Sequence, residues 1–186
     1  PTTRMLVDGI AQSGALSGTV LDVGSGVGGL TFALLDRGAT SAVAVDASTA
    51  YVGAARDEAV HLGLANAIQF VHADFVESAS QLPTASVVAL DRVVCCYPSW
   101  ERLLDAALGH AERCLALSYP RDAWYVRLGM TLENSQRWLA RNSFRTFVHP
   151  VPKIEETIRR AGFGLSSRRE TWMWSVDVYL RRANSP

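Results

Sequence analysis

Ten residues, Val20-Leu21-Asp22-Val23-Gly24-Ser25-Gly26-Val27-Gly28-Gly29, constrain the fold of this chain more than any other stretch. A short apolar run that breaks into glycines reads as a buried strand turning sharply into a helix. Glycine is needed where such a turn lets a ligand approach the backbone closely, and free N–H groups at the helix start face that ligand. Taken alone, Gly24-x-Gly26-x-x-Gly29 also fits a dinucleotide fingerprint or a tight turn with no ligand at all.

Asp22 narrows the choice. A carboxylate two residues before the first glycine, at the carboxyl end of the strand, repels a pyrophosphate and favours a ligand carrying a positive group. Asp46 ends a second apolar run, where an acid can accept from both hydroxyls of a ribose. Asp74 follows a third run in His72-Ala73-Asp74-Phe75, where it can accept from an adenine amino group while Phe75 packs on the base. Each acid alone could equally be a solvated loop carboxylate or a helix cap. Three in successive strand–helix units are harder to obtain by accident.

The rest of the chain extends the same pattern. Strands are predicted at Thr19–Val23, Ala42–Asp46, Ile68–His72, Ser86–Leu90 and Cys114–Ser118. Helices are predicted from the glycine turn to Arg37, from the cap Ser48 to His61, over Trp100–Arg113, over Asp122–Arg141, and from Pro152 to Gly162. Gly164–Trp172 and Trp174–Arg181 read as two adjacent strands. The expected fold is α/β, a mostly parallel Rossmann-like sheet sandwiched by helices and closed by an antiparallel strand pair. All 186 residues are read as one domain, with allowance for a segment before Pro1, since the chain opens without methionine.

These motifs resemble those of the class I S-adenosylmethionine-dependent methyltransferases. Their first motif, an acid followed by Gly-x-Gly-x-Gly, is matched by Asp22, Gly24, Gly26 and Gly28. Their ribose-binding acid matches Asp46 and their adenine-side acid Asp74, while Val87–Val94 is similar to their fourth-strand motif. The resemblance covers roughly Val20–Arg182 and implies S-adenosylmethionine as cofactor and S-adenosylhomocysteine as product. It implies a cofactor site made of Asp22, Gly24, Ser25, Gly26, Gly28, Asp46, Ala47, Asp74, Phe75 and Asp91. It says little about the acceptor.

The acceptor side is sought beyond the carboxyl ends of the later strands. Asp91, Tyr97 and His149 are the candidate catalytic residues, with Asp91 as base or orienting group. Asp91 could instead pair with Arg92, Tyr97 could be a packed turn aromatic, and His149 could be structural. Arg121 would suit an anionic acceptor, or sit in a proline turn capped by Asp122. The vicinal Cys95 and Cys96 read as packing rather than reactive thiols. The aromatic and basic stretch Asp122–Arg141 could cover a hydrophobic substrate or touch a membrane surface, but is expected to pack on the sheet and turn its arginines to solvent.

Composition excludes several classes. Basic and acidic residues balance at 18 each, so no excess positive charge points to nucleic acid. Three cysteines without a C-x-x-C pair, and no clustered histidines, leave no disulfide framework or metal site. The expectation is a cytoplasmic bacterial enzyme acting on a small molecule, with no stable membrane association and an oligomeric state left open. The rival readings are an NAD(P)-dependent oxidoreductase and a non-catalytic module that binds the same cofactor. The absence of a Tyr-x-x-x-Lys pair, with Lys153 the only lysine, speaks against the first.

Overall fold

Continuous apolar runs belong in strands covered on both faces, and that is how they pair. In the computed structural model, which describes residues 2–142 and 144–182, the parallel strands are β1 (Thr19–Val23), β2 (Ser41–Asp46), β3 (Ile68–His72), β4 (Ala85–Asp91) and β5 (Ala111–Pro120). An antiparallel pair, β6 (Phe163–Glu170) and β7 (Trp174–Arg181), completes the sheet in the order β3-β2-β1-β4-β5-β7-β6. The chain leaves β1 towards β2 and leaves β4 towards β5. The crevice beyond the carboxyl ends of β1 and β4 is therefore the switch point where an open α/β sheet binds ligands.

Alternation along the strands divides the core in two. Val20, Val87 and Ala116 pack under α1 (Thr2–Gln12), α2 (Gly29–Asp36) and α3 (Thr49–His61). Leu21, Val88 and Leu115 face the other way, under the one-turn α4 (Phe75–Ser78) and α5 (Trp100–His110). Two helices follow β5. Of these α6 (Trp124–Leu139) buries only Val126 and Met130, whereas α7 (Val151–Arg160) drives Ile154 and Ile158 into the second core.

Three expectations are corrected. The helix predicted to Arg113 stops at His110, and the strand begins at Ala111 rather than Cys114. Arg181 of β7 donates to the carbonyls of Ala111 and Glu112, at 2.6 and 2.8 Å, which holds those residues extended. The strand after Gly162 ends at Glu170, because Thr171 exchanges hydrogen bonds with Trp174 and turns Trp172 outward at the hairpin tip. The helix predicted over Asp122–Arg141 forms, but it does not lay its apolar stripe on the sheet.

Candidate functional site

The loop after β1 is built around left-handed backbone. Gly24 has φ 66°, and its N–H donates to the Val45 carbonyl at 2.8 Å, tying the loop to β2. A Cβ there would come within 2.5 Å of Val93 Cγ2, so no other residue fits without displacing the segment after β4. At Gly26, φ 55°, a Cβ would meet only open space, because this peptide faces the cleft.

Gly24 is the waist between two lobes of that cleft. The first, about 350 Å³, is bounded by Asp22, Ser25, Gly26, Asp91, Arg92 and Thr3. The second, about 100 Å³, is bounded by Asp46, Ala47, Asp74, Phe75, Val93 and Tyr97. Together they run across the carboxyl ends of β1 to β4.

Four carboxylates line this path, each held differently. Asp22 is buried and accepts from Thr31 Oγ1 of α2 at 2.6 Å. Burial, with added repulsion from Asp91 and Asp46, pushes its pKa up to about 7 against that hydrogen bond. Asp46 bridges two backbone donors, Gly26 N–H at 2.8 Å and Ser48 N–H at 2.8 Å. Each of its oxygens keeps a lone pair for a further donor.

Asp74 caps α4, its Oδ1 accepting from Val76 and Glu77 N–H groups at 2.9 and 3.1 Å. Phe75 is buried just behind it, edge-on to His110. Asp91 accepts from Ser118 Oγ of β5 at 2.6 Å and from Thr3 Oγ1 at the start of α1.

The other sequence candidates fall outside the first lobe. The Tyr97 hydroxyl donates to Asp74 at 3.2 Å, so the ring belongs with the second lobe rather than beside Asp91. His149 Nε2 donates to the Tyr97 carbonyl at 3.1 Å, and the ring packs against Phe147 and Trp100. Burial lowers its pKa. Arg121 pairs with Glu170 at 3.2 Å. Gly28 caps the start of α2 with φ 87° and does not line either lobe.

Sequence reading missed Thr3, Thr31 and Ser118 as partners of the acids. It also missed the backbone of Arg92, which sits at φ 61° in the left-handed region. Arg92 N–H donates to Ser118 Oγ at 2.8 Å, and its carbonyl accepts from both Cys95 and Cys96 thiols. Its guanidinium, more than half exposed at the mouth of the first lobe, makes a long ion pair with Asp91 at 3.8 Å, the pairing that the sequence offered as the alternative for Asp91. The one signal for Thr3 was the Leu6, Val7, Ile10 spacing, which marks a helix starting near residue 2.

The methyltransferase domain family matches residues 20–117 of the chain. A ribosomal protein L11 methyltransferase from Nitrosococcus oceani is 28% identical over 155 residues, covering 82% of this chain. The chain spans 48% of that relative's length. Among solved structures, a magnesium protoporphyrin IX methyltransferase from Synechocystis PCC 6803 with bound SAH superposes with a TM-score of 0.77 at 24% identity. That match covers 97% of this chain and 82% of the other. An O-methyltransferase family protein from Burkholderia thailandensis gives a TM-score of 0.78 at 18% identity, over 98% of this chain and 57% of the other. At these identities the structural likeness is one of fold.

Proposed function

The chain belongs to the methyltransferase domain family, and from that premise we propose that it transfers a methyl group from S-adenosylmethionine to a small-molecule acceptor. The observation that carries the proposal is the buried, weakly compensated Asp22 facing a glycine-lined cleft. Such a carboxylate suits a ligand that brings a positive charge and disfavours a pyrophosphate.

The residues present fit the cofactor. Ser25 Oγ is buried with no hydrogen-bond partner among the described residues, at the edge of the first lobe. A buried polar atom without a partner is costly unless a ligand supplies one. Ser25 and Asp22 would hold the amino-acid end, and Asp46 would accept from the ribose hydroxyls. Ala47, Asp74 and Phe75 would enclose the base. When bound, the cofactor supplies an electrophilic methyl group on a positively charged sulfur.

What remains for the protein is alignment and one proton. Alignment of reacting atoms can supply much of the rate in such a displacement. Asp91 stands at the first lobe with Thr3 and Ser118 fixing its two oxygens, so it is the group that orients the acceptor and takes its proton. Tyr97 and His149 act as positioning residues for the second lobe through Asp74 and the Tyr97 carbonyl. The acceptor end is bordered by Thr3, Asp91 and Arg92 in a lobe of about 350 Å³, a volume that suits a small molecule.

Calorimetry with S-adenosylmethionine, S-adenosylhomocysteine and NADH tests the cofactor, with Asp46→Ala as control. Binding of the sulfur nucleosides alone, weakened in the variant, is expected; binding of NADH instead would overturn the reading. Transfer of a labelled methyl group is then followed into small molecules and into ribosomal protein separately. Label appearing only in protein would sink the small-molecule acceptor while leaving the cofactor assignment intact.

A further inference from the structure

Among the described residues, the outward face of α6 gathers more exposed large hydrophobic side chains than any other element. Val126 and Met130 are its only buried side chains, and its inner side is otherwise polar. Asn134 grips the Thr146 backbone at both ends, donating to the carbonyl at 2.7 Å and accepting from the N–H at 3.0 Å. Arg137 lies over the Phe144 ring, 4.9 Å from its centroid. The helix is therefore docked by a polar clamp.

Its apolar stripe points away. Trp124, Leu128, Leu132, Trp138 and Leu139 fall within one arc of the helix, and each is more than half exposed. Trp172, 71% exposed at the hairpin tip, stacks on Tyr125 and continues the patch. A helix of 16 residues carries this face for about 24 Å. Apolar patches of this kind mark interaction sites.

Charge selects the occupant. Residues 121–145 carry five arginines against two acids in a chain whose overall charge is zero; Arg121, Arg127 and Arg137 pair with Glu170, Asp122 and Glu133, which leaves Arg141 and Arg145 as the basic excess at the end of the stripe. Two such faces would repel each other, which disfavours a second copy, whereas an anionic surface is attracted. Tryptophan and arginine flanking an aliphatic stripe suit the headgroup boundary of a bilayer. Among the described residues no helix is long and apolar enough to cross a membrane, so the contact is parallel to the surface.

We infer that the exposed face of α6, extended by Trp172, is a docking surface for an anionic lipid bilayer. The contact is peripheral and reversible, which stays within the sequence expectation of no stable membrane association. α6 follows β5, whose Ser118 holds Asp91, but no residue of α6 lines either lobe of the cleft.

The full chain is floated with vesicles of phosphatidylcholine alone and of phosphatidylcholine with phosphatidylglycerol, while tryptophan emission is followed. Binding at least about tenfold tighter to the anionic vesicles, with a blue shift, is expected. The double variant Leu128→Glu with Leu132→Glu should lose at least about tenfold of that binding while keeping its melting temperature and its affinity for S-adenosylhomocysteine. Arg141→Glu with Arg145→Glu should weaken binding to anionic vesicles alone and offers a test that leaves the apolar stripe untouched. Equal binding to both vesicle types, no binding to either, or unchanged binding by both variants would each overturn the proposal. So would a dimer in sedimentation that Leu128→Glu with Leu132→Glu dissociates.

Discussion

The rim of the cleft and the outer face of α6 are built on opposite plans. At the rim, Asp46 and Asp74 each close a local backbone turn as well as facing the cleft, and Asp22, buried at the floor of the first lobe, is tied to Thr31 of α2. Almost every polar group there is spoken for by the fold. On α6 the fold uses two buried side chains and one asparagine, and leaves the larger apolar face uncommitted. A site for a fixed ligand must be organised before the ligand arrives. A surface for a fluid, extended partner needs only composition and reach.

The largest effect that would sharpen this contrast is at the waist of the cleft. Gly24→Ala forces a side chain into left-handed backbone and against Val93 at 2.5 Å, at a combined cost of about 2–4 kcal/mol. Since Val93 borders the second lobe, binding of S-adenosylhomocysteine should fall on the order of 100-fold, about 2.7 kcal/mol. Calorimetry and thermal melting read both. A variant that melts and binds like the parent would mean that the rim adapts, and the contrast with α6 would weaken.

Asp22 offers a smaller effect with opposite signs in stability and binding. Its pKa of about 7 lies above the ordinary 3.8, so between these values the native state holds a proton that the unfolded chain has released. The stability of the unliganded protein therefore falls as pH rises from about 4 to 7 and is flat beyond. Binding of a positively charged ligand runs the other way and strengthens as pH rises through 7. Asp22→Asn should flatten both profiles. It should also raise unliganded stability at pH 8 by roughly 1–2 kcal/mol, a discounted share of about 1.4 kcal/mol per pH unit of displacement. Parallel melts and titrations across pH 4–9 test it, and a variant that loses stability at pH 8 would refute the assignment.

What was legible beforehand divides along the same line. β1, its glycine turn and the acids at Asp22, Asp46 and Asp74 follow local rules, in which an apolar run, a glycine and a cap sit within a few residues. The pairing of Thr3 with Asp91 spans 88 residues, and no spacing announces it. Tyr97 sits only six residues after Asp91, yet the short 3₁₀ turn Val94–Cys96 carries it round to Asp74 in the other lobe. The orientation of α6 was misread for a related reason. Periodicity shows that a helix has an apolar stripe but not which side the body of the protein will take, and here Asn134 and Arg137 decide it.

Arg92 tests whether strain at the rim is bound up with function. Its left-handed backbone costs about 1–2 kcal/mol for a non-glycine residue, and such outliers cluster at functional sites. Arg92→Gly should relieve that strain. The freer unfolded chain offsets part of the gain, leaving a net stabilisation of about 0.5–1 kcal/mol in denaturant titrations. Affinity for S-adenosylhomocysteine should stay within about twofold, whereas turnover of an identified acceptor should drop through a raised KM. A destabilised variant would show that the φ of 61° is supported by contacts of the side chain, and the strain argument would fail.

The smallest effect is the one that would break the comparison outright. Leu132 is 58% exposed, so Leu132→Ala should change stability by less than about 0.5 kcal/mol. Met130, two residues earlier on the buried side of the same helix, should cost about 2 kcal/mol or more when cut to alanine. The pair shares helix, length class and solvent path to the unfolded state, so the difference isolates which face the fold uses. If Leu132→Ala costs as much as Met130→Ala, and the cost grows with protein concentration, the stripe is already covered by a second copy in solution. The lipid assignment would then fall. If the cost is large but independent of concentration, α6 turns its stripe inward, and its plan is no different from that of the rim.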